Sequence, residues 1–317
     1  MDFEYLLWLQ DLRPSLPQVL QRLFEVLGSE SIMVAMALLP CLIYWCIDKK
    51  SGMLGFVSYG MSSIFNTLVK STVCCYRPWV RDARVKPVPS AIKAASGYSF
   101  PSGHSQSAAS VTGGLSYHHR DKGWPMALAV VFTLLIAFSR NLLGVHTPQD
   151  VIVGMLEGFA FVIICARLID WVEQEEGRDK KMVLVGVACA VALLAYTMLK
   201  PYPEDYVNGV LLVDPLGMKV DACKTIGIFL ACLFGYYGER HYVDFKTEGI
   251  TFIQGLARFF VGIAIVLLLY VPIGHALVNL LGDYPGQLIR TFLTFFMAAC
   301  GIPALFGPLD KLFVKGL

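Results

Sequence analysis

Long apolar segments dominate this chain and restrict it to a membrane-spanning helical fold. A bilayer core about 30 Å thick is crossed by roughly 20 apolar residues in a helix, and every backbone polar group there must be paired within the protein. The sequence has about nine such segments, at residues 30–47, 52–71, 103–119, 124–141, 148–168, 181–199, 223–238, 256–278 and 287–307. We therefore predict an all-α polytopic membrane protein with about nine transmembrane helices.

The composition agrees with a membrane protein and argues against several functional classes. Hydrophobic residues make up 56% of the chain and charged residues only 16%, whereas soluble proteins are about 25% charged. The net charge is +2 and no basic run indicates a nucleic-acid partner. The nine cysteines lie mostly in apolar segments without a metal-binding spacing, so we interpret them as core residues. We predict no metal site and no cofactor, and the oligomeric state stays open.

Two long connections and the N-terminal segment organise the chain. Residues 1–29 mix apolar side chains with Asp11, Arg13 and Arg22, which indicates an interfacial amphipathic helix. Alternation of the predicted helices places loops 72–102 and 200–222 on one face, together with the N-terminus. The Lys and Arg residues divide equally between the two faces when all are counted. The count becomes unequal once the candidate catalytic cations and the cations of the long loop 72–102 are left out. The remainder favours an N-terminus outside and a C-terminus in the cytoplasm.

Six ionisable residues lie at predicted helix ends on the face of the long loops, where uncompensated charge is costly and indicates function. They are Lys70, Arg77, His104, Arg140, His146 and Asp150. Three of them are cations, and arginine presents a planar fork that matches phosphate oxygens. In addition, Ser102 and Gly103 stand at a helix start, where free N–H groups favour an anion. The pattern predicts a phosphate-binding site.

Two histidines supply candidate chemistry at this site. His146 and Asp150 are four residues apart around Pro148, so the carboxylate can accept a ring N–H of His146 and hold one tautomer. The other ring nitrogen then keeps a lone pair and is a competent nucleophile toward phosphorus. His104 can protonate the leaving oxygen and later deprotonate the hydrolytic water.

Three motifs in order resemble the signatures of the type-2 phosphatidate phosphatase superfamily. They are K-x6-R-P at Lys70–Pro78, P-S-G-H at Pro101–His104, and S-R-x5-H-x3-D at Ser139–Asp150. The resemblance implies a six-helix phosphatase core, here residues 30–199. Residues 200–317 form an extension with about three further predicted transmembrane helices, which lies outside the resemblance and whose role stays open. The resemblance also implies phosphate binding by Lys70, Arg77, Arg140, Ser102 and Gly103. By the same resemblance His146 is the nucleophile, Asp150 its partner and His104 the general acid, with no metal.

Three functions remain open at this point. The first is hydrolysis of a lipid phosphate or diphosphate, because a site at headgroup depth suits a substrate whose tail stays in the bilayer. The second is a glucose-6-phosphatase-like sugar phosphatase, suggested by the number of predicted spans. The third is a lipid-binding or transport protein without chemistry, which charges at helix ends rather than at the bilayer midplane disfavour.

One acidic residue falls inside a predicted span. Glu157 lies between Gly154 and Gly158 in segment 148–168. We prefer the interpretation of an acid hydrogen-bonded to a neighbouring helix over that of a buried proton carrier. Asn66, one turn before Lys70, either faces the site or makes an interhelical hydrogen bond.

Overall fold

The computed structural model describes residues 2–207 and 209–314, and helices account for most of them. The α-helices are α1 (Asp2–Leu12), α2 (Gln18–Leu27), α3 (Glu30–Cys46), α4 (Lys49–Val73), α5 (Pro78–Arg81), α6 (Pro89–Lys93), α7 (Gly103–Tyr117), α8 (Trp124–Leu142), α9 (Pro148–Glu173), α10 (Arg178–Leu199), α11 (Pro215–Gly238), α12 (Phe252–Leu268), α13 (Gly274–Leu281), α14 (Asp283–Phe296) and α15 (Phe306–Val314). Two short strands, β1 (Tyr206–Val207) and β2 (Val210–Leu211), form an antiparallel hairpin. The predicted all-α membrane class is confirmed.

Shorter helical turns join or extend these helices. Turns of 3₁₀-helix lie at Arg13–Ser15, Arg120–Lys122 and Pro303–Leu305, and π-helical turns lie at Glu239–Val243, Leu269–Ile273 and Met297–Gly301. The π-turn after α12 contains Pro272, whose missing N–H loosens the helical hydrogen-bond pattern there. The chain from Phe252 to Leu281 is thereby a single apolar span built from two α-helices.

The structure places a helix at each of the nine predicted segments but does not confirm nine spans. Within the described residues, five helical segments are long and apolar enough to cross a membrane, or six if the bent pair α2–α3 is one broken span. Helix α4 falls short because it buries polar side chains against protein, at Ser58, Ser62 and Asn66. Helix α7 has only 15 residues and also buries polar side chains, at Gln106 and Ser110. Mean hydropathy underestimates helices of this kind, since their polar faces never meet lipid.

The N-terminal segment differs from the predicted single helix. It forms α1 and α2, separated by a 3₁₀ turn that contains Pro14 and ends before Pro17. Helix α2 then meets α3 at a bend of 58°. Proline restricts the residue before it to extended conformations, which explains the break between the first two helices. The bend at Gly28 and Ser29 carries the chain over the end of α8, as described below.

Helix α7 is the centre of the first part of the bundle. It packs closely against α4, α8 and α9. The approach is closest at Gly154 and Gly158 of α9, because a Cβ at either position would lie 2.5 Å from the carbonyl oxygen of Ser102 or Gln106. Small residues at such contacts let helix backbones meet in a membrane. This packing brings the beginnings of α7 and α9 side by side.

The extension is fastened to the first part of the bundle by α3 and α4. Helix α11 packs against α14 and α4, and its start at Pro215 lies before the predicted segment. Tyr44 and Trp45 at the end of α3 are fully buried and donate to the carbonyls of Ala299 and Ala298, at 2.8 and 2.9 Å. These aromatic side chains therefore combine a large buried area with satisfied polar atoms.

Candidate active site

The start of α9 holds a histidine and a carboxylate in a fixed relation. Thr147 and Asp150 form a reciprocal cap, in which the Asp150 Oδ2 accepts the Thr147 backbone N–H at 2.8 Å, and Pro148 occupies the first turn. The same carboxylate oxygen lies 3.3 Å from His146 Nδ1. His146 is 2% exposed and Asp150 is 1% exposed. The predicted pairing of these two residues is thus present in the geometry.

Two side chains that the sequence patterns did not indicate complete this pairing. Ser99 donates to Asp150 Oδ2 at 2.6 Å, and Asn141 donates from Nδ2 to the His146 carbonyl at 2.9 Å. Ser99 therefore braces the carboxylate from the long loop, and Asn141 anchors the His146 backbone from the end of α8. A polar residue directly after Arg140, at the end of an apolar helix, was a weak indication that Asn141 belongs to the site. Serines are common in turn-rich loops, so Ser99 carried no such indication.

Arg77 determines which nitrogen of His146 is free. Its Nη1 lies 2.8 Å from His146 Nε2, and a guanidinium has only donors. Nε2 must then be the acceptor, so the ring proton resides on Nδ1 and is donated to Asp150. Burial, and after it the positive charge of Arg77, lowers the pKa of His146 well below the usual histidine range. The imidazole is neutral with its lone pair directed at a cation.

The three predicted cations share one set of partners, the backbone carbonyls of residues 94–101, which we call the carbonyl segment. Arg77 donates to Ser96 and Gly97 at 2.9 and 3.1 Å, and additionally to Val145 at 3.1 Å. Lys70 donates to Tyr98 at 3.0 Å and to Pro101 at 2.8 Å. Arg140 donates to Ala94 at 3.3 Å and to Gly28. No ion pair involving any of the three occurs among the described residues.

The start of α7 contributes the remaining predicted groups. Ser102 caps the helix through its hydroxyl, and its N–H donates to the Asp150 carbonyl at 2.9 Å. In the described part of the chain, apart from its chain neighbours and its own helix backbone, no atom lies within 4 Å of the place a Cβ at Gly103 would take, so space adjoins the helix start. His104 is buried and donates from Nε2 to the Ser29 carbonyl at 3.2 Å.

The structure thus brings the predicted residues together to different degrees. His146, Asp150 and Arg77 are in direct contact, whereas Lys70, Arg140 and His104 each bind backbone carbonyls around them. Gly28 and Ser29, at the bend between α2 and α3, are contacts that the sequence patterns did not reveal, because only their carbonyls take part. What the arrangement can do chemically is bind an oxyanion with three cations next to a neutral imidazole.

Comparisons with known proteins agree with the motifs. The family model described as the PAP2 superfamily matches residues 51–174, a range that includes all eight candidate residues. A second model, described as PAP2 superfamily phosphatase, transmembrane extension, matches residues 223–312. The undecaprenyl-diphosphatase BcrC of Bacillus subtilis is 33% identical over 102 residues, which cover 31% of this chain and 49% of that protein. The chain thus matches about half the length of this curated relative. No solved structure matches the chain.

Proposed function

Since the chain belongs to the PAP2 superfamily, we propose that it is an integral membrane phosphatase that hydrolyses a lipid phosphate or diphosphate monoester through a phosphohistidine on His146. The observation that carries this proposal is the neutral His146, whose Nδ1–H faces Asp150 and whose Nε2 lone pair faces Arg77. A nucleophile needs a free lone pair and a fixed orientation, and an electrophile bearing negative oxygens is drawn to the neighbouring cation.

In the proposed first step, His146 Nε2 attacks phosphorus while the bond from phosphorus to the leaving oxygen breaks. Arg77 turns its donors from the imidazole to the phosphate oxygens as the substrate binds. Protonated His104 gives its proton to the leaving oxygen and becomes neutral. The Nδ1 proton stays between His146 and Asp150, where the carboxylate stabilises the positive charge that develops on the ring.

In the second step a water molecule attacks the phosphorus of the phosphohistidine. Its proton passes to His104, the bond from nitrogen to phosphorus breaks, and inorganic phosphate leaves. Both histidines return to their starting protonation states. Lys70, Arg77 and Arg140, with the Ser102 hydroxyl and the Gly103 N–H, would stabilise the equatorial oxygens in both steps, in place of a metal ion. Each such donor is worth about 10²–10³ in rate.

A lipid substrate is supported by the position of the site and by the relative. The candidate residues lie at the ends of α4 and α8 and at the beginnings of α7 and α9, where a headgroup would lie with its tail in the bilayer. The Bacillus relative is named for a polyprenyl diphosphate, which makes an isoprenyl diphosphate the first substrate to test. The sugar-phosphatase alternative depended on nine spans, a number that the structure leaves unconfirmed.

The decisive experiment is phosphate release by purified protein in detergent containing EDTA. The substrates are phosphatidate, a sphingoid-base phosphate, an isoprenyl diphosphate and glucose 6-phosphate. The wild type is compared with His146→Ala and with His118→Ala, which alters an exposed histidine at the opposite end of α7. We expect phosphate release from one lipid class, and this release should be lost in His146→Ala but not in His118→Ala. We also expect to trap an acid-labile phosphoenzyme with the phosphoryl group on His146. An active His146→Ala protein contradicts the nucleophile assignment, and strict dependence on a divalent ion contradicts metal-free hydrolysis.

We also propose that the site faces the extracytoplasmic or lumenal side, with the N-terminus outside and the C-terminus in the cytoplasm. Arg84 lies exposed in the long loop beside the site. In intact cells, an Arg84→Cys variant should react more with a membrane-impermeant maleimide than the wild-type protein does. Labelling only after permeabilisation would reverse the assigned orientation.

A further inference from the structure

A large apolar cleft separates α10 from α4 and α9. It has a volume of about 740 Å³ and is lined by α4, α9, α10 and α11, with side chains such as Phe65, Phe161, Leu193 and Phe229. Val185 and Cys189 line it and are exposed, so the cleft opens toward the lipid. Helix α10 packs chiefly against α11 and only sparsely against α4 and α9.

The cleft is not continuous with the candidate active site. The α4 residues that line it fall within an arc of about 100°, at 3.6 residues per turn, and are Val57, Met61, Ile64, Phe65 and Leu68. Lys70 projects from roughly the opposite side of α4, toward the carbonyl segment. A substrate tail in this cleft would have to pass through α4 to reach His146. The cleft is therefore a separate site.

One end of the cleft carries a positive charge and an aromatic side chain. Lys181 is the charged residue in the lining, and Trp171, near the end of α9, also lines the cleft. Both are at the end remote from the candidate site, because α10 begins at Arg178 and ends next to Tyr202, whose ring stacks on Tyr98 at 6.5 Å. Among the residues that the structure describes, Lys181 has no ion pair, whereas Arg178 is paired with Glu175 at 2.6 Å. A lysine and a tryptophan at a helix end are typical of contact with lipid headgroups.

The length of the cleft fits a lipid chain. From Lys181 to Tyr196 the lining of α10 covers 16 residues, a length of about 22 Å at 1.5 Å per residue step. Half of a hydrocarbon core of about 30 Å is shorter than this. A chain that starts at Lys181 can therefore lie wholly inside the cleft, between α10 and helices α4 and α9.

We propose that this cleft binds one acyl chain of an anionic phospholipid, whose phosphate lies beside Lys181 in the leaflet opposite the candidate active site. The apolar lining accounts for the hydrocarbon chain, and the unpaired ammonium accounts for the preference for negative charge. The bound lipid fills the space that keeps α10 from α4 and α9. It thereby joins α10 to α4 and α9, where direct packing is sparse.

The test is native mass spectrometry of delipidated full-length protein titrated with dioleoyl-phosphatidylglycerol or with dioleoyl-phosphatidylcholine. We expect one tightly retained phosphatidylglycerol and roughly tenfold weaker binding in Lys181→Glu. Lys180→Glu is the matched control, because it makes the same charge change at the preceding residue, which does not line the cleft. This variant should retain the lipid. The readout is independent of phosphatase activity.

Two further variants test the position of the acyl chain. Cys189→Trp and Ala192→Phe each place an aromatic ring in the cleft from an exposed position on α10, so at least one should fold and both should lower lipid retention. Equal retention by wild type, Lys181→Glu and the filled variants overturns the site. Equal retention of phosphatidylcholine and phosphatidylglycerol overturns the assignment of an anionic headgroup.

Discussion

The substitution Arg77→Lys separates the charge of Arg77 from its hydrogen-bond geometry. Arg77 is 5% exposed and donates to three carbonyls and to His146 Nε2. Its planar fork reaches the carbonyl segment on one side and the loop that carries His146 on the other. A lysine keeps the positive charge but has one nitrogen and three protons, so it cannot span both sides.

The size of the effect follows from the contacts that are lost. Of the four hydrogen bonds, at least two lose their donor, and a hydrogen bond to a charged group contributes about 1.5–3 kcal/mol. We therefore expect the free energy of unfolding to fall by about 3–6 kcal/mol. Under the proposed reaction one donor to the equatorial oxygens is also misplaced, which lowers kcat about 10²–10³-fold.

Arg258→Lys is the matched control for this experiment. Arg258 is 3% exposed, donates to the carbonyls of Trp45 and Lys246 at 3.1 and 2.9 Å, and pairs with Asp310, all remote from the candidate site. Both variants should unfold at lower denaturant concentration in detergent, measured by circular dichroism. Phosphate release at temperatures where both remain folded should fall only in Arg77→Lys. If Arg77→Lys retains activity within about threefold, the phosphate-binding role of Arg77 is wrong.

Three other predictions concern groups around the site. Because the pKa of His146 is lowered, the unfolded chain binds a proton near pH 6.5 that the folded chain does not bind at this residue. His146 should therefore lower the free energy of unfolding by up to about 1.4 kcal/mol per pH unit below pH 6.5 and contribute nothing above it, and His146→Asn should make the measured slope shallower by that share. Ser99→Ala and Ser51→Ala each remove a hydrogen bond from a buried serine to a carboxylate, of 2.6 and 2.7 Å. Both should lose about 1.5–3 kcal/mol of stability, Ser51→Ala toward the lower end because its bond is part-buried. Only Ser99→Ala should lower kcat, and equal kcat values would show that Ser99 has no positioning role. Glu157→Leu should lower the free energy of unfolding by about 1–3 kcal/mol, because it leaves the Asn66 amide without its acceptor. Glu157→Gln should leave stability nearly unchanged, because its carbonyl oxygen keeps the 3.0 Å contact with Asn66. Thermal unfolding in detergent measures both effects.

The parts of the site that the sequence revealed are those set by local geometry. His146 and Asp150 are four residues apart around a proline, and a helix that starts at Pro148 brings their side chains close together. The helix start at Gly103 follows in the same way from Ser102 as a cap. Helix positions followed from apolar length, because a lipid environment permits few alternatives.

The parts that escaped prediction depend on contacts between distant segments. Ser99 is 51 residues from Asp150, and the Gly28 carbonyl is 112 residues from Arg140, so no local pattern announces either contact. Backbone carbonyls are also the same in every residue, and a sequence cannot show which of them will accept from a cation. The number of spans stays unconfirmed for a related reason: α4 buries a polar face against protein, and hydropathy does not distinguish protein from water as the partner of a polar side chain.

The carbonyl segment explains how three cations can stay available to an anion at membrane depth. A buried carboxylate partner would hold each cation more firmly and neutralise it, so a substrate phosphate would have to compete with a full negative charge. Carbonyl oxygens accept hydrogen bonds from all three cations without cancelling their charge. In the proposed reaction a phosphate is the stronger acceptor and displaces them, since charge-assisted hydrogen bonds are about twice as strong as neutral ones. Asp150, the carboxylate in contact with His146, is instead occupied by Ser99, Thr147 and that histidine. The cations therefore keep their positive charge for the substrate, and the carboxylate keeps its negative charge for the imidazole.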